Sequence, residues 1–256
     1  MKTCFETIAV AFSMFSALPM PQFPWEGRNL RYAMCAFPLI GVVIGGLCYL
    51  WTLLCQWLAF PALVEGAVLC LLPAAVTGGI HLDGYCDTTD ALASHGTPAQ
   101  RQEILKDPHI GAFGVIRLCL YLLFTFALWT TLPERAGWAV WLSFPLSRCL
   151  SGLAVATFPL AKDTGLAHTF ATAADRKRVA ALLLAASLVL MALLCWSGLS
   201  GCAMVLAAVI VFWDYWHRAI KYFGGLSGDL AGWFLQRAEL WMLAAAWLAA
   251  WKEWFA

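Results

Sequence analysis

Long apolar runs separated by short polar connections dominate the chain. A helix needs about 20 apolar residues to cross the hydrocarbon core of a bilayer, and this criterion predicts seven spans. Their bounds are Tyr32 to Trp57, Ala62 to Ile80, Ala112 to Thr131, Gly137 to Phe158, Val179 to Trp196, Cys202 to Ile220 and Leu230 to Trp251. The opening stretch 3–18 is shorter and carries Glu6, so we expect an interfacial or re-entrant helix there. The pattern predicts an all-α, polytopic integral membrane bundle that forms one domain, 1–256.

Composition supports a membrane protein and excludes several other classes. The chain is 62% hydrophobic and 12% charged, whereas a soluble domain has roughly 25% charged residues. Its net charge of +1 and the lack of a basic tract predict no nucleic-acid partner. The 10 cysteines form no Cys-x-x-Cys motif, so we interpret them as small apolar side chains.

The distribution of Lys and Arg predicts the orientation. Basic residues concentrate in the segments 19–31, 81–111, 159–178 and 214–229, whereas the opposite connections and the C-terminus hold only Arg135 and Lys252. Cytoplasmic loops carry the excess of positive charge, so these four segments are predicted to face the cytoplasm. We expect the loops 81–111, 159–178 and 214–229 to form the active-site face.

Three aspartates follow the second predicted span in helical register. Asp83, Asp87 and Asp90 occupy positions i, i+4 and i+7, which share one face of an α-helix. Their carboxylates repel one another, and a hard divalent cation such as Mg²⁺ removes that penalty. Asp107 could add a fourth carboxylate and complete a two-metal site for phosphoryl chemistry. The alternative is an acidic helix cap followed by a solvated loop.

A second polar centre precedes the last predicted span. Gly224, Gly225 and Gly228 allow close backbone approach and present amide donors to phosphate, and Asp229 stands at the head of the helix. The alternative is a flexible turn with Asp229 as the N-cap.

Ionisable residues inside predicted spans are the third clue. Such groups usually face a polar cavity or a partner. Arg148 is a candidate to bind phosphate, and Glu239 to bind across helices or to hold substrate, while an internal salt bridge is the alternative for either. His81 could bind metal or substrate, or be a hydrogen-bonded interfacial histidine.

These motifs, taken in order, resemble the cobalamin synthase (adenosylcobinamide-GDP ribazoletransferase) family. The resemblance covers about residues 10–240 and rests on the combination of the His-Leu-Asp-Gly-x-x-Asp-x-x-Asp core with the later Gly-Gly-x-x-Gly-Asp. The supporting segments are Phe37 to Gly41, Gly78 to Gly84, Asp87 to Asp90, Lys106-Asp107 with Gly111, Ser147-Arg148, Gly224 to Asp229, and Glu239. Family members often have Thr-Arg-Leu-Pro near the N-terminus, whereas this chain has Ser16-Ala17-Leu18-Pro19, so a phosphate contact there is in doubt.

The resemblance implies a Mg²⁺-dependent enzyme of the bacterial cytoplasmic (inner) membrane, with its active site facing the cytoplasm. The enzyme would join adenosylcobinamide-GDP to α-ribazole, or to its 5′-phosphate, and release GMP. Membrane lipid and a second copy of the chain are further expected partners. The implied roles are metal ligands, a general base and substrate contacts. The metal ligands would be Asp83, Asp87, Asp90 and Asp107, the catalytic carboxylates Asp83, Asp87, Asp107 and Asp229, and the substrate contacts His81, Lys106, Arg148, Lys221, Gly224, Gly225, Gly228 and Glu239.

Two other functions fit parts of the pattern. A CDP-alcohol phosphotransferase making phospholipid also places spaced aspartates beside a membrane, but its Asp-Gly-x-x-Ala-Arg start is absent after Asp83. A transporter would use the intramembrane Arg148 and Glu239 along its path. Against it, the spans show no inverted repeat of broken helices, and the charged motifs gather on one face.

Overall fold

The computed structural model describes residues 2–25, 27–162 and 164–252, so Met1 and residues 253–256 of the predicted domain lie outside the described residues. Within these ranges the chain is helical and has no strand beyond one isolated bridge between Leu160 and Leu226. The helices are α1 (Lys2–Phe15), α2 (Gly27–Leu30), α3 (Ala33–Leu58), α4 (Ala62–Thr77), α5 (Ile80–Ala93), α6 (Pro98–Ile104), α7 (Ala112–Thr130), α8 (Ser143–Thr157), α9 (Leu166–Ala173), α10 (Arg176–Trp196), α11 (Leu199–Phe223) and α12 (Gly228–Lys252). The all-α prediction is confirmed.

Five segments of the described chain are long and apolar enough to cross a membrane. They are α3, α7, the segment Trp138–Thr157 that includes α8, α10 and α11. Helices α4 and α5 pass the same test only together, and they are bent by 94° at their junction, so the total reaches six if this pair is one broken span. The several apolar helices fit a multi-pass membrane protein. The predicted interfacial segment at the N-terminus is the short apolar helix α1.

Two left-handed glycines produce the bend between α4 and α5. Gly78 and Gly79 have φ values of 65° and 80°, a conformation that L side chains rarely adopt. Gly78 ends α4, and α5 begins at the residue after Gly79. The turn directs α5 away from the axis of α4, and we therefore treat α5 as lying outside the membrane-spanning segments.

Helix α12 differs from the other long helices because it is not among these five spans and lies in the centre of the bundle. It packs against α5, α8 and α11, and Phe234, Ala238, Met242 and Ala246 are fully buried. Its 25 residues are long enough to cross a bilayer, but it also carries Asp229, Arg237 and Glu239. The helix that the sequence predicts as the seventh span is therefore the central helix of the bundle, and it carries these ionisable residues.

Small residues let α3 approach the first turn of α8 and the segment just before it. A Cβ on Gly41 would lie 2.5 Å from the carbonyl oxygen of Phe144, and one on Gly45 would lie 2.7 Å from that of Trp141. This i, i+4 pair of glycines is the small-xxx-small arrangement that membrane helices use for close packing. The two glycines therefore fix the position of the buried residues on α8.

The predicted loop 214–229 is mostly helical. Helix α11 continues to Phe223, and α12 begins at Gly228, so only residues 224–227 connect them. Helix α6, with a capping box at Thr97, packs against the C-terminal end of α11. There Arg101 donates to the carbonyl oxygen of Tyr222 at 3.4 Å, and Gln102 donates to that of Phe223 at 2.8 Å. A cation near these last carbonyls also favours the helix end electrostatically.

Candidate active site

The predicted carboxylate face exists, because Asp83, Asp87 and Asp90 all lie on α5. Helix α5 approaches α12 at Gly84, where a Cβ would lie 2.7 Å from the carbonyl oxygen of Asp229. Only glycine permits this approach, and it brings the head of α12 beside the aspartates of α5. The close contact between two distant segments therefore unites the two polar centres of the sequence.

A cavity of about 280 Å³ lies at this junction. Its wall includes His81 and Asp83 from α5, Gly228 and Asp229 from α12, and Ser151 from α8. Apolar side chains of α1, α3 and α9 complete it, namely Phe15, Met34, Phe37, Ala167 and Phe170. The cavity thus combines a few convergent polar groups with an apolar wall, which is typical of ligand sites.

The carboxylates in this region perturb one another. Burial, followed by the charges of Asp83, Asp229 and Asp90, raises the pKa of Asp87 from 3.8 to about 6. Burial is also the main cause of a raised pKa at Asp229, where the positive charge of Lys162 acts in the opposite direction. Like charges held this close favour a bound proton or cation. Lys162 is half-buried and makes no ion pair within the described part of the chain.

The third aspartate of the series has a different environment. Asp90 accepts hydrogen bonds from the backbone amides of Gly111 at 2.8 Å and Gly114 at 2.9 Å. These amides are at the start of α7, so the carboxylate caps that helix. A Cβ on either glycine would lie within 2.5 Å of the Asp90 oxygens, which explains why glycine occupies both positions.

The predicted fourth carboxylate lies on an exposed part of the chain. Asp107 accepts from the backbone amide of His109 at 3.0 Å, and its oxygen lies 2.7 Å from the His109 ring. It does not line the cavity of Asp83 and Asp229. Among the described residues, no three His, Cys, Asp or Glu side chains are arranged to hold a metal ion by themselves. The structure therefore gives no support to a four-aspartate cage.

The buried arginine on α8 binds a protein carboxylate rather than an open site. Arg148 is 1% exposed and forms a salt bridge of 2.5 Å with Glu239 of α12. Ser147 also donates to Glu239 at 2.9 Å, and Arg148 donates to the carbonyl oxygen of Phe144 at 2.9 Å. The internal salt bridge, which the sequence left open as an alternative, is the observed arrangement. Arg148 and Glu239 hold α8 against α12 beside the cavity.

His81 is a buried residue of the cavity wall. Burial, followed by the charge of Arg148, lowers its pKa from 6.5 to about 3. The ring is therefore neutral at physiological pH, and its Nδ1 has no hydrogen-bond partner within the described chain. Its ring centroid lies 5.8 Å from that of Phe37. A neutral imidazole facing a cavity can offer a hydrogen bond to a ligand.

The three glycines of the connection between α11 and α12 have different roles. Gly224 ends α11 with φ 74°. A Cβ on Gly225 would lie 2.6 Å from the backbone of Leu160 and Ala161, where the amide of Leu226 donates to Pro159 at 2.8 Å. Gly228 lines the cavity and has open space at its Cβ position. Gly228 is therefore the member of this group that a ligand can approach.

Two predicted lysine contacts lie on the surface. Lys106 pairs with Glu103 at 2.7 Å, and both side chains are exposed. Lys221 is exposed and lies over the Tyr222 ring at 5.3 Å. The sequence did not single out Lys162 as a site residue. No spacing in the sequence points to Lys162, because only the fold, through the bridge between Leu160 and Leu226, brings the segment 160–162 to the head of α12.

Comparisons with known proteins give one result across the chain. The Cobalamin-5-phosphate synthase family matches residues 7–247. An adenosylcobinamide-GDP ribazoletransferase of Lachnoclostridium phytofermentans is 41% identical over 90% of this chain and 89% of its own length. Relatives of the same name from Desulfitobacterium hafniense and Clostridium perfringens are 33% and 31% identical, with at least 93% of each chain covered. No solved structure matches the chain.

Proposed function

This chain belongs to the cobalamin-5-phosphate synthase family, and we propose that it is an adenosylcobinamide-GDP ribazoletransferase that uses the cavity between α5 and α12 as its active site. The observation that carries the proposal is the meeting of Asp83 and Asp229 at this cavity through the close approach at Gly84. Asp87 follows Asp83 by one turn of α5 and interacts electrostatically with both carboxylates. The shared name of the relatives favours this activity over the lipid phosphotransferase and the transporter.

We propose that the cavity takes the reacting groups, while most of the corrin lies outside it. Its volume of about 280 Å³ is just below the range of about 300 to 1,000 Å³ that is typical of small-molecule sites. The two substrates are adenosylcobinamide-GDP and α-ribazole, or the 5′-phosphate of α-ribazole. The new bond joins a ribose hydroxyl oxygen of α-ribazole to the phosphorus that remains on cobinamide. The bond from that phosphorus to GMP breaks, and GMP leaves with the electron pair.

Asp83 and Asp87 would hold Mg²⁺. The ion commonly uses one or two carboxylates together with substrate phosphates and water, so a closed cage of protein ligands is not needed. The donor set fits, because burial and then the like charges of neighbouring carboxylates raise the pKa of Asp87, and a divalent cation would relieve that repulsion. A bound Mg²⁺ would neutralise charge that develops on the phosphate oxygens.

We propose that Asp229 is the general base. Burial raises its pKa, which makes its carboxylate a better proton acceptor than a solvated one. It lies on the same cavity wall as Asp83, so it would receive the hydroxyl proton beside the metal ligands.

Lys162 acts on the Asp229 carboxylate electrostatically and would pair with a substrate phosphate. His81 would orient a substrate group by a hydrogen bond. Asp90, Asp107, Lys106 and Lys221 have no part in this proposal.

The proposal also includes the cytoplasmic orientation of the site in the bacterial inner membrane. The predicted cytoplasmic segments 81–111 and 159–178 contain most of α5 and all of α9, and both helices contribute residues to the cavity wall. The large, charged substrates are expected to arrive from the cytoplasm. The bias of Lys and Arg toward these segments supports this placement.

The direct test is an assay of purified protein reconstituted in lipid. Adenosylcobinamide-GDP is supplied with α-ribazole or its 5′-phosphate, with Mg²⁺ or with EDTA, and both GMP and the new corrinoid are measured. We expect equal amounts of the two products, only with Mg²⁺, and the ratio of kcat/KM for the two acceptors identifies the preferred one. GMP without the joined corrinoid, from folded protein, would contradict the proposal.

A further inference from the structure

A second polar cavity lies on the side of α5 that faces away from the aspartates. Its volume is about 450 Å³, and Tyr85, Thr89 and Leu92 of α5 form one wall. Tyr85 follows Asp83 by two residues, which is a rotation of about 200° around a helix. The cavity is therefore separate from the proposed active site and shares no residue with its wall.

Three arginines line this second cavity, and no carboxylate does so among the described residues. They are Arg117 of α7, Arg218 of α11 and Arg237 of α12. Asp214 lies behind two of them. It accepts from Arg218 at 2.8 Å and also from Arg237. Arg117 has no ion pair within the described chain. One carboxylate thus balances three guanidinium groups, and a doubly charged excess remains at the cavity.

The ring of Trp233 lies beneath two of the three arginines and holds them in position. The Arg237 guanidinium lies 4.4 Å from the centroid of the Trp233 ring, and that of Arg218 lies 5.8 Å from it. Trp233 is 5% exposed, so this aromatic floor is part of the core. A planar cation stacked on a buried ring loses little freedom when it binds an anion, because its position is already set.

The depth of the arginines matches the headgroup region of a bilayer. Arg117 lies five residues after the start of α7, and Arg218 lies five residues before the end of α11. At 1.5 Å per residue, both are about 8 Å from a helix end. Those two ends lie on the predicted cytoplasmic side. The polar zone of a leaflet is about 5 to 8 Å thick beyond the hydrocarbon, so guanidinium groups here can reach lipid phosphates.

Lipid-facing side chains adjoin the cavity. Phe113 lines it and is 58% exposed, and Ile116 beside it on α7 is 54% exposed. An exposed apolar surface on a candidate span is expected to contact acyl chains. A ligand with an anionic head and an apolar tail would therefore satisfy the arginines and α7 together, whereas a free nucleotide would use only the arginines.

We propose that the cavity lined by Arg117, Arg218 and Arg237 binds the phosphate of an anionic phospholipid headgroup. The bound lipid would join α7, α11 and α12 through one anion, since each helix contributes one guanidinium. The lipid neutralises the excess charge on the face of α5 opposite the catalytic carboxylates. The site does not depend on the proposed reaction.

The test measures lipid binding by native mass spectrometry on the full chain in detergent, titrated with phosphatidylglycerol or phosphatidylcholine. We expect one phosphatidylglycerol to bind at least about tenfold more tightly than phosphatidylcholine. Arg117→Gln should weaken that binding at least about fivefold, because it removes the unpaired cation and leaves Asp214 with its partners. The matched control is Lys177→Gln, which removes an exposed charge at the start of α10 that does not line the cavity.

Three outcomes would overturn the proposal. Equal loss of binding in Arg117→Gln and Lys177→Gln would indicate diffuse electrostatic attraction. Equal affinity for the two lipids would show that the net negative charge of the headgroup is not recognised, because phosphatidylcholine carries the same phosphate with a compensating cation. Displacement of phosphatidylglycerol by inorganic phosphate or GMP at low millimolar concentration would assign the cavity to soluble phosphates. A thermal unfolding scan of each variant confirms that the measured protein is folded.

Discussion

Two groups of ionisable residues meet α12, and they are balanced differently. Near the middle of the helix, Glu239 meets Arg148, and the two charges are buried and paired. At its head, Asp229 lies with Asp83 and Asp87, and the three charges have the same sign. The charges of Arg148 and Glu239 neutralise each other, so this pair needs no ligand. The carboxylates need a proton, a cation or a substrate, and so the function is expected at the head of the helix.

This difference shows that a charged residue inside a predicted span does not by itself identify a functional site. Arg148 is the most deeply buried arginine among the described residues and was a candidate to bind phosphate, with an internal salt bridge as the alternative, and the structure pairs it with Glu239. Buried ion pairs are costly to break and often neutral to replace as a pair. Burial alone therefore identifies a residue that needs a partner, and the geometry shows whether the partner is already present.

The largest effect should follow from removing one carboxylate of the like-charged group. Asp83→Asn or Asp87→Asn should lower kcat by about 10⁴-fold, or roughly 5.5 kcal/mol of transition-state stabilisation, because each change removes a proposed metal ligand. The measurement is product formation by reconstituted protein, together with its thermal unfolding. Activity within tenfold of wild type in both variants would exclude them as metal ligands.

Breaking the buried pair should affect folding rather than chemistry. Arg148→Met should destabilise the protein by about 3 to 5 kcal/mol, because Glu239 is left buried and unpaired. Arg148→Met combined with Glu239→Leu should recover most of that stability and an activity within about tenfold of wild type. Thermal unfolding and turnover of the two variants provide the comparison. A stable but inactive double variant would instead show that Arg148 or Glu239 contacts substrate.

A smaller effect, at the lysine whose charge acts on Asp229, should separate substrate binding from chemistry. Lys162→Gln should raise KM for adenosylcobinamide-GDP about tenfold, or roughly 1.4 kcal/mol, with kcat changed less than threefold. The reason is the loss of a cation that has no other ion pair within the described chain. Lys162→Arg should restore much of the affinity. An effect on kcat alone would show that Lys162 interacts with the substrate only in the transition state.

The like-charged group should also weaken the fold in the absence of a cation. The pKa of Asp87 is raised from 3.8 to about 6, so the folded protein binds this proton more tightly than the unfolded chain. That contribution is present below about pH 4 and is lost as the pH rises through about 6. At pH 7.5 in EDTA, Asp87→Asn should therefore stabilise the protein by roughly 1 kcal/mol, a value reduced for partial exposure.

The corresponding measurement is thermal unfolding with EDTA and with Mg²⁺. The midpoint of Asp87→Asn should lie about 2 to 4 °C above wild type in EDTA, and Mg²⁺ should raise the wild-type midpoint but not that of the variant. A lower midpoint for the variant in EDTA would mean that Asp87 already has a stabilising partner.

The smallest effect is expected at the exposed aspartate. Asp107→Asn should change kcat/KM less than threefold, because its described partner is the backbone and ring of His109 rather than the cavity. The same assay as for Asp83→Asn provides the comparison under identical conditions. A loss of more than a hundredfold would show that the segment 106–111 moves onto the substrate, and would return Asp107 to the site.

The sequence alone determined the class of fold, the family and the carboxylate face. Apolar length predicted membrane helices, and a spacing of i, i+4 and i+7 put Asp83, Asp87 and Asp90 on one face, because both follow from helical geometry and the thickness of a bilayer. Gly84, Gly111 and Gly228 were visible in the sequence as parts of motifs, but the sequence did not show why glycine occupies each position. Gly84 and Gly111 each depend on a neighbour that is distant in sequence, Asp229 and Asp90, whereas Gly228 has open space beside the cavity.

The tertiary structure alone decided how the charged residues are grouped. It separated Asp90, which caps α7, from Asp83 and Asp87, paired Arg148 with Glu239, and brought Lys162 close enough to Asp229 to act on its charge. It also gathered Arg117, Arg218 and Arg237 from three helices. Sequence patterns report periodicity within a helix, whereas ion pairing depends on side-chain distances of a few ångströms between helices, and these distances are set only by packing.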